Sequence, residues 1–69
     1  MNLTPRQTEI ASLVAKGLTA KDIAVETGLS DRTVEVHIQQ AANRLGSEGR
    51  PRHRLTLWFL QRLDHKSVA

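Results

Sequence analysis

The sequence predicts an all-α domain of four helices whose middle pair forms a helix-turn-helix. Three observations predict it. Thr4-Pro5-Arg6-Gln7 and Thr19-Ala20-Lys21-Asp22 both have the form of a capping box, in which a threonine and a side chain three residues on satisfy each other's backbone N–H groups. The glycines at 17, 28, 46 and 49 each sit at an end of a helical pattern. Between these marks the apolar residues recur at helical spacing, and no alternating strand pattern appears.

Taken in order, the first helix spans about residues 5–16. Thr4 is its N-cap and Pro5 its first residue, where a missing N–H costs nothing. Ile10, Leu13 and Val14 share a face with Gly17, which is expected as the C-cap. The second helix, about 20–27, turns Ile23 and Ala24 inward and stops at Gly28, after which Leu29 plugs the core. Ser30 caps the third helix, about 31–45, and Asp31 in its first turn complements the helix dipole. Gly46 closes it, and GSEGRPR reads as a loop. The fourth helix opens on Pro51 and is expected over about 51–65, fraying near Lys66.

At 69 residues the chain is a single domain, residues 1–69, with little core of its own. It has no cysteine, so no disulfide or thiolate metal site is available to brace it, and the absence fits a reducing cytosol. That leaves helix packing and self-association. No apolar run approaches the roughly 18 residues of a membrane span, and the N-terminus lacks the order of a signal peptide. A soluble protein of the cytoplasm, without a membrane partner, is the expectation. Residues 1–29 hold three basic and three acidic side chains; residues 30–69 hold seven basic and four acidic, so the whole net charge of +3 lies in the second part. Three arginines crowd into RPRHR, residues 50–54. Such a cluster is either a solvated loop or a contact with a polyanion, most simply nucleic acid, with Arg50 and Arg52 on phosphates.

An enzyme is not expected. His37, His53 and His65 have neither i,i+4 nor zinc-type spacing. Ser12, Ser30, Ser47 and Ser67 lie in no nucleophile elbow, the glycines form no phosphate loop, and the carboxylates are scattered over polar faces. No catalytic residue, metal ligand or cofactor is assigned.

The third helix carries the informative pattern. Wound at about 100° per residue, Val34, Ile38, Ala41 and Leu45 form one stripe, while Arg32, Glu35, Gln39, Gln40 and Asn43 take the other side. Val36 falls among the polar residues. A helix-turn-helix needs a small residue where its helices touch, a turn residue tolerant of positive φ, and a branched apolar anchor on the second helix. Ala24, Gly28 and Val34 supply them.

At these residues a family comes into view. The opening Leu3-Thr4-Pro5-Arg6, Glu9-Ile10, Gly17-Leu18-Thr19, Lys21-Asp22-Ile23-Ala24, Gly28-Leu29-Ser30, Thr33-Val34-Glu35-Val36-His37 and Arg44-Leu45-Gly46 together resemble the LuxR-type (GerE-like) DNA-binding domain of bacterial response regulators and quorum-sensing activators, nearly without gaps over residues 3–46. The resemblance implies a four-helix fold whose third helix enters the major groove of double-stranded DNA and whose fourth forms a two-fold dimer contact. It carries base reading to Glu35, Val36 and Gln39, and phosphate contact to Lys21, Arg32, Thr33 and His37. In a major groove a valine packs on a thymine methyl, glutamine pairs with adenine, and glutamate accepts from cytosine N4. The chain departs from the family in having Glu35 and Gln39 where Lys or Arg often stands. A carboxylate there weakens nonspecific affinity, and RPRHR restores some positive charge.

In the fourth helix Leu55, Trp58, Phe59 and Leu63 make one apolar arc, Leu57 and Leu60 lie on another side, and the wedge around Arg54, Gln61 and Asp64 is polar. A helix apolar nearly all round is buried on more than one face. One arc is expected on the core and the other against a second copy, with Leu57, Trp58, Leu60 and Gln61 at the homodimer interface. The expected function is that of a sequence-specific dimeric bacterial transcriptional regulator. The Met start and the SVA tail, read as unstructured, favour a stand-alone protein over a piece of a larger one. A second reading, of another class, is an interaction module that pairs with a LuxR-type regulator and inhibits it.

Overall fold

The computed structural model describes the backbone of residues 3–46 and 49–68, with side chains described as far as Arg62. Its helices are α1 (Pro5–Ala15), α2 (Ala20–Thr27), α3 (Asp31–Leu45) and α4 (Pro51–Val68), and there is no strand among the described residues.

Both capping boxes form. The Gln7 N–H donates to Thr4 Oγ1 at 3.1 Å, and the Thr4 N–H donates back to Gln7 Oε1 at 3.0 Å. This bond satisfies the carboxamide oxygen of the buried Gln7. At α2 the Asp22 N–H donates to Thr19 Oγ1 at 3.1 Å, and the Thr19 N–H donates to Asp22 Oδ2 at 3.3 Å.

Gly17 is not itself the C-cap of α1. Lys16 holds that position in right-handed geometry, and Gly17 follows at φ +91°. The Gly17 N–H donates to the Val14 carbonyl and the Leu18 N–H to the Leu13 carbonyl, at 2.9 and 3.2 Å. This is the Schellman pattern, which demands the left-handed residue one position past the cap. At the end of α2 it is the cap itself, Gly28, that turns left-handed at φ +75°, its N–H on the Ala24 carbonyl. That reversal, at a residue without Cβ, lets the chain pass from α2 to α3 in three residues, 28–30.

α3 packs against all three other helices; α4 packs against α1 and α3. The core is drawn from every helix: Leu3, Ile10, Ala11, Val14, Ile23, Ala24, Val34, Ile38, Ala41 and Leu55. Ile10, Ile23, Val34 and Leu55 are wholly enclosed, each burial stabilising the fold by about 1.5–3 kcal/mol. Leu13, Leu18, Leu29, Leu45 and Trp58 close the margins. Ala42 is buried as well. A single stripe does not predict it, but a helix with neighbours on three sides has a wider buried arc.

α4 continues to Val68, past the expected fraying point and into the tail expected to be unstructured. No glycine or proline lies in 52–69 to stop it. Of its expected apolar arc, Leu55 is enclosed, Trp58 leans on the core, and Phe59 is half-buried. The Leu63 and Asp64 side chains lie outside the described residues.

Candidate nucleic-acid interface

The stripe Val34, Ile38 and Ala41 is buried, so the opposite side of α3 must face outward. Arg32, Glu35, Val36 and Gln39 lie there, exposed, and together line a shallow concavity of about 250 Å³. Val36 is 44% exposed. No described part of the chain covers it, so the valine on the polar side is a surface residue of the fold and not a member of the core.

Three hydrogen bonds prepare polar groups on this side. Gln39 Nε2 donates one proton to Asn43 Oδ1 at 3.3 Å, four residues on. The second amide proton and the carbonyl oxygen remain, which is the pair an adenine edge requires. At the start of α3 the Ser30 hydroxyl accepts from the Thr33 N–H at 3.1 Å and donates to Thr33 Oγ1 at 2.8 Å. Since Thr33 Oγ1 accepts from Ser30, its own proton is left to donate elsewhere. Lys21 is exposed in the first turn of α2, and His37 is half-buried on α3.

A second, larger groove of about 510 Å³ runs between α3 and the start of α4, lined by Glu35, Ile38, Gln39, Arg50, Pro51, Arg52 and His53. The basic tract is therefore continuous with the outer face of α3, sharing Glu35 and Gln39 with the smaller concavity. Arg50, Arg52 and His53 are exposed along it. Arg52 is engaged within the fold, because its Nη2 donates to the Leu18 carbonyl in the α1–α2 turn.

On α4, Leu57 and Leu60 are 43% and 50% exposed. Leu57, Trp58 and Gln61 border a small cleft with Leu45 and Arg54. The guanidinium of Arg62 lies 5.4 Å from the centre of the Trp58 ring, close enough for a cation–π contact. The i,i+4 spacing of these two residues was a signal for it. Val25 on α2 is 81% exposed. Its place about 200° from Ile23 on the helical wheel was visible in the sequence. No described helix is long and apolar enough to cross a membrane, and the described residues contain no cluster of potential metal ligands.

A short helix locked by a left-handed glycine to a longer one, whose buried stripe turns a bare polar face outward, defines a helix-turn-helix domain. The family described as bacterial regulatory proteins, luxR family, matches residues 1–53, and the chain belongs to it. Its relatives include the transcriptional regulatory protein UhpA of Escherichia coli, 43% identical over 44 residues, which cover 64% of this chain and 22% of that protein. The spore germination protein GerE of Bacillus subtilis is 42% identical over 48 residues, covering 70% of this chain and 65% of that protein. The tetrathionate response regulatory protein TtrR of Salmonella typhimurium is 54% identical over 35 residues, 51% of this chain and 17% of that protein. The chain thus spans about a fifth of the length of UhpA and less than two thirds of GerE. No solved structure matches it significantly.

Proposed function

We propose that the chain binds double-stranded DNA sequence-specifically as a homodimer and regulates transcription in the bacterial cytoplasm. The observation that carries the reading is the division of α3 into an enclosed apolar stripe and an exposed side bearing Glu35, Val36 and Gln39. Membership of a family of bacterial regulatory proteins supports it. In this reading α3 enters the major groove. Val36 meets a thymine methyl, Gln39 an adenine edge and Glu35 a cytosine amino group. Lys21, Arg32, Thr33, His37 and Arg50 hold phosphates and fix the register. The exposed Leu57 and Leu60, with Trp58 and Gln61, meet the same residues of a second copy across a two-fold axis.

The test is a selection of bound fragments from a pool of random duplexes with the purified chain. The expected result is enrichment of an inverted repeat whose half-sites are centred about one helical turn apart, roughly 34–36 Å. A pool that shows no enrichment over many rounds overturns the reading. Co-purification with a longer regulator in place of DNA would instead turn it toward an interaction module.

A further inference from the structure

We propose that Arg52 is a positioning residue that ties α4 to the first turn of α2 and so sets where Lys21 stands. The proposal rests on the DNA-binding reading above. It deepens that reading by giving one arginine of the basic tract a task other than phosphate contact.

Arg52 Nη2 donates to the carbonyl oxygen of Leu18. That carbonyl belongs to the peptide unit joining Leu18 to Thr19, whose N–H donates to Asp22 Oδ2 at 3.3 Å. The same unit is thus held by α4 on one side and by the α2 capping box on the other. Leu18 is itself fixed from behind, since its N–H donates to the Leu13 carbonyl at 3.2 Å and its side chain packs on the core. Lys21 sits two residues past Thr19, in the turn this box secures.

The link matters because α2 and α4 do not pack against each other among the described residues. α2 rests on α3 and α1, so without the Arg52 bond its first turn communicates with α4 only through other helices. A guanidinium is also well suited to the place. Its donor is charged, which strengthens a bond to a neutral carbonyl, and its long stem spans to a residue 34 positions away in the chain. Through this bond, whatever fixes the orientation of α4 also fixes the start of α2, where a phosphate contact is proposed.

The experiment uses the intact chain with Arg52→Gln and Arg52→Lys, and Arg50→Gln as control. Without DNA, Arg52→Gln is expected to move the Leu18 carbonyl ¹³C resonance upfield. It should also lower Tm by about 4–8 °C, the shift a domain of this size shows on losing one net hydrogen bond. Arg50→Gln should leave the Leu18 carbonyl where it is. If Arg52→Gln fails to fold, Arg52→Lys, which keeps the charge and a donor on a different stem, reports on the same carbonyl. With a mixed-sequence duplex, Lys21→Gln and Arg52→Gln should each flatten the salt dependence of affinity by about one unit, and the double variant by about one and not two. Two independent phosphate contacts would give about two and overturn the proposal, as would a Leu18 carbonyl indifferent to Arg52. If the wild-type chain binds no duplex, the DNA reading falls, while the Leu18 resonance still decides the tether.

Discussion

The three helices between Leu3 and Leu45 each start on a short side chain whose oxygen accepts from the first turn: Thr4, Thr19 and Ser30. α4 starts behind Arg50, which has no such oxygen; it keeps only a proline at its first position, as α1 has, and the first backbone bond that all four helices make, here from the Arg54 N–H to the Arg50 carbonyl at 2.9 Å. The two regions also differ in how they dispose of apolar residues. α1–α3 enclose most of theirs, whereas α4 leaves Leu57 and Leu60 in the open and, among its described side chains, gives only Leu55 wholly to the core. The first region is specified by local chemistry. The second is held to the core through Leu55 and Trp58 and leaves Leu57 and Leu60 exposed.

The comparison can be broken or sharpened by substitution. The largest effect is expected at Leu55, the described α4 side chain that is wholly enclosed. Leu55→Ala should cost about 2–5 kcal/mol, read by thermal unfolding; a loss below 1 kcal/mol would mean that α4 is not integral to the domain. On the outer face of α3, Val36→Ala or Gln39→Ala should leave stability nearly unchanged but cost on the order of 1–3 kcal/mol of discrimination between sites. Unaltered site preference in a binding selection would move base reading off this face. Thr19→Ala removes a cap from the locally specified region and should destabilise by about 0.5–2 kcal/mol, measured by urea unfolding. Arg50→Ala, at the start of the other region, should flatten the salt dependence of DNA binding by about one unit for every sequence alike. A loss confined to one sequence would argue against phosphate contact. The smallest effect on the fold is expected at Leu60→Glu, within about 0.5 kcal/mol as for other surface positions, yet sedimentation should show the dimer lost. A variant still dimeric would put the interface elsewhere.

Much of this was legible before any coordinates. The caps at Thr4, Thr19 and Ser30 were readable because a cap depends on residues three apart. The Val34–Ile38–Ala41 stripe was readable because helical periodicity alone decides which residues share a side. Gly17 was assigned to the right turn but the wrong position, since the Schellman bond pattern, not the glycine, defines where the cap falls. α4 runs past the expected end near residue 65 because no glycine or proline follows to break it. Arg62 against Trp58 was within reach of the same spacing rules and was overlooked. Ala42 was not, since its burial depends on α3 having neighbours on three sides.

The amino-acid sequence by itself determined the four helices, the glycine-bearing turn between α2 and α3, and which side of α3 is apolar. All of these follow from interactions within one or two turns of chain, where residue identity suffices. Only the tertiary structure decided that the basic tract adjoins the outer face of α3, that Leu57 and Leu60 stay exposed, and that Arg52 reaches the Leu18 carbonyl 34 residues away. Contacts between residues so far apart depend on how the helices cross, and crossing is set by the packing of the whole core.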